Sequence, residues 1–524
     1  MKRRTKEVRA VLVSFIFLLI FSPISLFAAT YYVATNGNNS NPGTIGSPWR
    51  TITYGIGHSG AGDTLYIRGG AYGPNEAVPE TSAVWPQTFC GSAKWGLSNV
   101  YNQYDGRCGN ADGTWRIISA YPTGGTGPGY ESVIINDMGL TTITSDVSNH
   151  YSDTGCPYVK VIGLNFHGTG PNNGCVGPSL GMAGQHIEFT NLLIDGYITK
   201  YFGAINITSG GHDYLVKNIV MNLSPKAADG GNFHGIYLRQ GGYPLGNPAG
   251  SADTYNVGIT GNTIKGISGW GVHVHYDNES TLYAAPHHVL IEKNTFTDID
   301  RAGILFAMSN SGPAHDFVIR NNVFYNIKWA AMQFSTSGGA NGNSYNIDFY
   351  NNTIYNCTTT PASENYGGVY FQNLTTAGDG DVYNVTVKNN IIWRSSNSYA
   401  YSVYNENTGY PTSRIYDVTL SNNLTWPDNT NTLNGMTMSN TVTGNPQFNN
   451  IGGNNFSILS SSSAIDHGVT VTAPSWVASM PGWVSNSEDF LGKTRTGIWD
   501  IGAYEYGGSS SLKPPTGLSI VTGP

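Results

Sequence analysis

Residues 317–327 read "FVIRNNVFYNI". Phe317 and Ile319 stand at alternate positions of the opening four, an asparagine pair follows, and a second short apolar run closes the phrase. Alternation at period two is the mark of a half-buried strand, and polar Asn-rich punctuation marks a turn. The phrase recurs as "HIEFTNLLIDG" (186–196), "YLVKNIVMNLS" (214–224), "VGITGNTIKGIS" (257–268), "HVLIEKNTFTDI" (288–299), "IDFYNNTIYNC" (347–357), "VTVKNNIIWRS" (385–395) and "VTLSNNLTWPD" (418–428). The recurring residues are Asn191, Asn218, Asn262, Asn294, Asn322, Asn352, Asn390 and Asn423, spaced 27, 44, 32, 28, 30, 38 and 33 apart.

Repeats of this length, each holding short strands and polar turns, predict the stacked coils of a β-solenoid. Stacking places equivalent residues about 4.8 Å apart, so the recurring amides are expected to form a hydrogen-bonded ladder. Amphipathic helical periodicity is absent beyond the N-terminus, apart from a short stretch near residues 49–57. The longer spacings mark inserted loops, with the extra length in 219–233, 240–255, 276–286 and 357–366.

A second strand recurs in each coil: "GAINIT" (203–208), "GIYLRQ" (235–240), "GVHVHY" (271–276), "GILFAM" (303–308), "AMQFST" (331–336) and "GVYFQN" (368–373). Alternation predicts two inward columns, one from Ile205 through Ile236, Val272, Ile304 and Met332 to Val369, the other from Ile207 to Phe371. The outward columns are then Asn206, Tyr237, His273, Leu305, Gln333, Tyr370, and Thr208, Arg239, His275, Ala307, Ser335, Gln372. Titratable groups concentrate on two neighbouring coils, where Tyr237, Arg239, His273 and His275 form one patch with His234 and Asp277 near its ends. Trp270 and Trp329 flank it and offer stacking surfaces for sugar rings.

The opening of the chain carries Lys2, Arg3, Arg4, Lys6 and Arg9, an apolar run from Ala10 to Phe21, and the small pair Ala28–Ala29, which together predict a secretory signal peptide over 1–29. Its removal takes five basic residues and one acidic residue, leaving 21 against 32 and a net charge of −11. Charged residues at 11% and the lack of a basic patch argue against nucleic acid or an anionic membrane as partner. No later apolar run is long enough to span a bilayer. Five cysteines suit an oxidising compartment: Cys90–Cys108 and Cys156–Cys175 are expected as local disulfides, with Cys357 left over and buried. No CxxC occurs, which argues against structural zinc.

The segments "YYVATNGNNSNPGTIGSPWRTITYGIGHSGAGDTLYIRGGAY" (31–72) and "NPQFNN…FSILSSSSAIDHGV…DFLGKTRTGIWDIGAYEY" (445–506) resemble the opening and closing of secreted right-handed parallel β-helix proteins of the pectate-lyase-like superfamily. The resemblance implies an all-β, right-handed parallel β-helix with an N-terminal cap over 30–440 and a C-terminal closing segment over 441–506. A disordered linker-like tail is expected over 507–524. It also implies a polysaccharide or cell-surface glycan as partner, an extracellular or cell-surface location and a monomer.

Within that framework the first reading of the patch is a lyase that cleaves an acidic polysaccharide by β-elimination. His273 or His275 would be the base, Arg239 would pair with the uronate carboxylate, and Tyr237 would protonate the leaving oxygen. His234, Trp270, Asp277 and Gln333 join Tyr237 as substrate-binding candidates. No cofactor is assigned: many lyases of the resembling fold use calcium, but this sequence departs from that pattern, because the mapped face lacks the carboxylate cluster that calcium would need. A glycoside hydrolase would require two carboxylates, and the mapped face offers only Asp277, with Glu279, Asp229 and Asp253 in loops. The HxH pair with Asp277 and His234 has ligand types for a transition metal, but Arg239 opposes a cation there, so no metal site is assigned. A non-catalytic glycan-binding or adhesin β-helix is the alternative.

Overall fold

The computed structural model describes residues 28–72, 113–123, 129–136, 140–142, 158–168, 179–182, 185–196, 203–208, 211–223, 233–240, 253–276, 286–307, 313–335, 342–359, 366–372, 380–394, 400–406, 414–427 and 436–507. The expected signal segment through residue 27, all four cysteines of the two expected disulfides, and the tail from 508 lie outside them. So do most of the inserted loops.

The described strands form three long sheets of 13, 12 and nine strands, in which each strand but those at the two ends lies between its counterparts from the preceding and following coils. One coil runs through Ala314–Arg320 in the first sheet, Val323–Ile327 in the second and Met332–Ser335 in the third, before Ser344–Tyr350 begins the next. Pairing between coils is parallel throughout the three sheets, as in Phe317↔Ile347, Phe324↔Ile354 and Phe334↔Phe371. The antiparallel pair Phe448–Asn450 with Asn455–Ile458 follows the last coil. The short stretch predicted as helix is Ile52–His58, whose N-terminus is capped by the Thr51 hydroxyl accepting from the Tyr54 amide.

Inward residues stack into columns along the axis. Val257, Val289, Phe317, Ile347, Val385 and Val418 make one, and the face-to-face rings of Phe306, Phe334 and Phe371 make another, at 5.1 and 5.0 Å. These side chains are buried, and each contributes about 1.5–3 kcal/mol on leaving water. Cys357 belongs to the same core as a free, buried thiol.

The asparagine pairs divide their labour at the corner between the first and second sheets. The second residue of each pair turns inward and builds the ladder. Asn262, Asn294, Asn322, Asn352 and Asn390 each donate from Nδ2 to the Oδ1 of the next rung at 2.9–3.0 Å, ending at Asn423, and the same Oδ1 also accepts the backbone amide of the preceding rung. The first residue of each pair, Asn321, Asn351, Asn389 and Asn422, sits at φ of 51–53°, a left-handed corner that asparagine tolerates better than most residues. Asn191 and Asn218 occupy this outer place, at φ of 56° and 54°. Their counterparts on the ladder are the apolar Leu192 and Ile219, so the ladder starts at Asn262 and not at Asn191 as its spacing suggests.

The outer asparagines hold the last described stretch against the coils. Asn389 donates to the Val469 carbonyl and accepts its amide, Asn351 donates to the carbonyls of Asp500 and Gly502, and Asn321 donates to Glu488 and accepts from Arg495. Arg495 is itself buried against the Glu505 carboxylate at 3.1 Å and the Gly502 carbonyl at 2.8 Å. Lys293–Glu488 at 2.8 Å adds a further coil to the strap.

Candidate active-site face

The third sheet carries the patch drawn from the sequence. Its register is Asn206↔Tyr237↔His273↔Leu305↔Gln333↔Tyr370↔Tyr404 on one column and Thr208↔Arg239↔His275↔Ala307↔Ser335 on the next, as alternation predicts. Where each coil enters this sheet, Gly235, Gly271 and Gly303 lie one above another. A Cβ on Gly271 would come within 2.5 Å of the Gly303 carbonyl oxygen, which explains why glycine precedes each of these strands. The irregular entry brings His234 and Trp270, three residues before Tyr237 and His273, onto the same face as those two rings.

The result is a packed cluster of rings. His273 is 6% exposed and His234 5%. His273 Nδ1 lies 3.1 Å from His234 Nε2, and the Trp270 and Tyr237 rings lie 4.7 and 5.1 Å from the His273 ring. His273 therefore lies beneath its neighbours, where strand alternation alone would leave it open to solvent. Burial holds both imidazoles neutral. It pushes His234 down to about 3, with His275 and the Arg301 guanidinium adding to the effect, and holds His273 well below the ordinary imidazole range. Among the described residues, His234 Nδ1, His273 Nε2 and Trp270 Nε1 are buried with no hydrogen-bond partner.

His275 is half-buried at the edge of this cluster, and its Nδ1 is 3.0 Å from the Tyr237 hydroxyl. Arg239 pairs in register with His275, and its side chain lies outside the described part. Asp277 and Asp229 lie outside the described residues. Asp253 is placed at the first sheet instead, 3.6 Å from His287 Nε2.

The structure adds residues that sequence reading did not single out. Arg301 precedes the next strand and lays its guanidinium 4.3 Å from the Trp270 ring centre and 5.2 Å from that of Trp329. Trp329 stacks in turn on Tyr366 at 5.5 Å. Farther along the axis, Gln333 donates to Gln372 at 2.8 Å and the Tyr370 hydroxyl donates to Glu406 at 2.5 Å. Only the alignment of "IDRAG" with "ISGWG" and "IKWAA" hints at Arg301, because it places Arg301 beside Gly269 and Trp329 in the turn.

Calcium takes six to eight oxygen ligands, several of them carboxylates. The described strands of this face present imidazole, phenol, indole and amide groups, with Glu406 as their carboxylate, and the described residues contain no group of three or more His, Cys, Asp or Glu able to hold a metal. The donor set does not fit calcium. Nor does it supply the pair of carboxylates that glycoside hydrolysis ordinarily uses.

No family profile and no curated protein matches the sequence. Among solved structures, the pectate lyase Pel9A superimposes with a TM-score of 0.50 at 14% identity, over 91% of this chain and 96% of its own. The chain is a right-handed parallel β-helix. Other solved structures similar to this β-helix include PfbA, a surface adhesin of Streptococcus pneumoniae, with a TM-score of 0.48 and 14% identity over 75% of this chain and 82% of its own. A rhamnogalacturonan lyase aligns with a TM-score of 0.40 and 14% identity, over 76% and 87%. Among its described residues, this β-helix has no helix long and apolar enough to cross a membrane.

Proposed function

We propose that the protein is an exported polysaccharide lyase that cleaves an acidic glycan by β-elimination, with the Tyr237–His275 pair at its centre. The 3.0 Å contact between the Tyr237 hydroxyl and His275 Nδ1, at the open edge of a buried ring cluster, carries the reading. His275 takes the proton α to a uronate carboxylate on its imidazole. Tyr237 gives its proton to the leaving glycosidic oxygen, and the pair is restored by one proton exchange with solvent. Arg239, next to His275 in register, pairs with the carboxylate and stabilises the enolate as charge develops. Here His273 is a positioning residue beneath the pair and not the base, because it is buried and its Nδ1 is bonded to His234.

The test is a screen of the purified chain on acidic and neutral polysaccharides, with and without a chelator, following the ultraviolet absorbance of unsaturated uronate and new reducing ends. An acidic glycan should yield absorbance that a chelator leaves intact. His275→Ala and Tyr237→Phe should each lower kcat by about 10²–10⁴ with unchanged melting temperature. Reducing ends without absorbance would overturn the elimination.

A second reading, a glycan-binding surface without turnover, is favoured by the ring wall of Trp270, Trp329, Tyr366 and Tyr404. Retention on immobilised glycan with no product from any polymer would select it.

A further inference from the structure

We propose that the same face carries a second saccharide subsite, built on Gln333, Gln372, Tyr370 and Glu406 and selective for an uncharged sugar, so that the glycan is a heteropolymer and not a homopolyuronate. The inference rests on the reading of this face as glycan-binding.

The first observation is an unanswered acceptor. Gln333 is 2% exposed, its Nε2 is committed to Gln372 Oε1 at 2.8 Å, and its own Oε1 is buried with no partner among the described residues. A buried amide oxygen without a donor is destabilising, and a sugar hydroxyl is a donor of the right kind. Beside it, Glu406 is half-buried and accepts the Tyr370 hydroxyl at 2.5 Å. The rings of Tyr370 and Tyr404 run parallel at 5.8 Å, and Tyr401 packs on Tyr404 at 4.6 Å. Acceptors set among phenol rings suit the hydroxyls and C–H faces of a neutral pyranose.

The second observation is charge polarity along the sheet. Arg239 lies at the imidazole end, Arg301 enters from the next coil between Trp270 and Trp329, and Glu406 lies at the far end. The strands of Gln333 and Tyr370 are two and three steps from that of His273, or about 10 and 14 Å at the usual inter-strand spacing. That is a span of a few sugar residues along a chain. Between the two ends the strand itself contributes Leu305 and Ala307, which carry no charge. A uronate seated beside Trp270 finds the Arg301 guanidinium, whereas one seated beside Glu406 meets a like charge.

The experiment uses the full chain and two probes of equal length, a homo-oligogalacturonate and an oligomer alternating galacturonate with rhamnose. Affinities are read by titration calorimetry in a His275→Ala background, which removes turnover, and cleavage is followed with His275 intact. The alternating oligomer should bind about tenfold tighter. Gln333→Leu should weaken it about tenfold, and Glu406→Gln should shrink the preference to about threefold, mainly by tightening the homopolymer. Equal affinities for the two probes, or a preference unmoved by Glu406→Gln, would overturn the subsite. If the preference and its response to Glu406→Gln hold but neither oligomer is cleaved, the subsite stands and the lyase reading falls. If neither oligomer binds, both fall.

Discussion

Two imidazoles that share one hydrogen bond require a single proton between them, and His234 and His273 are in that position. Whichever ring donates, the far nitrogen of each is left inside the protein. A second proton would place a charge among Trp270, Tyr237, the neighbouring His275 and the Arg301 guanidinium. Both groups are held below the ordinary value of 6.5, so the unfolded chain binds protons first as the pH falls. The stability tied to the pair is complete above about 6.5 and is lost progressively from there towards about 3. The melting temperature should therefore fall through this window, and the double variant His234→Gln, His273→Gln should show a shallower acid-side fall in scanning calorimetry. Strand alternation was enough to place His273 and His275 on one face. The burial of His273 was not legible, because it arises from the irregular entry at the glycine column and from Arg301, which reaches the cluster from a neighbouring coil.

At the scale of the element, the corner between the first and second sheets gives the repeat its rhythm. Asn352 accepts from the Asn322 amide and side chain while donating to Asn390 and to the carbonyls of Ile319 and Tyr350. Asn352→Leu fits the shape, since Leu192 and Ile219 occupy the same place in earlier coils, but it strands donors and acceptors on both sides. It should lower stability by about 2–4 kcal/mol in denaturant unfolding, and Asn262→Leu, at the end of the ladder, by about half as much. The sequence spacing revealed the coil length and the existence of the ladder. It could not distinguish inner from outer asparagine where only one is present, which is why Asn191 and Asn218 were misplaced by one residue. The two places differ only in φ and in the direction of the side chain.

At the scale of the whole molecule, a solenoid couples each coil to its neighbours, and the strap couples coils that do not touch. Arg495 is its central fastening. Arg495→Met leaves the Glu505 carboxylate without its cation and Asn321 without a donor, and should destabilise the protein by about 3–5 kcal/mol, seen as a lowered unfolding midpoint. The strap's hydrogen bonds fall on the asparagine corner and not on the third-sheet strands of Tyr237 and His273, so oligosaccharide affinity at temperatures below the transition should remain that of the wild type.

The strap also sets an order of events. Asn321 and Arg495 are separated by 174 residues of chain, and Asn389 and Val469 by 80. Because the chain emerges from its amino end, every coil that the strap crosses is synthesised before the strap exists. Loop closure over such distances comes late, after local coil-on-coil contacts have shortened the path. The growing protein thus passes through a stage in which its outer asparagines face water, their left-handed corners already formed and their partners still to come. Residues 469–505 then arrive to find a prepared row of hydrogen-bonding sites and lock a structure whose shape was fixed without them.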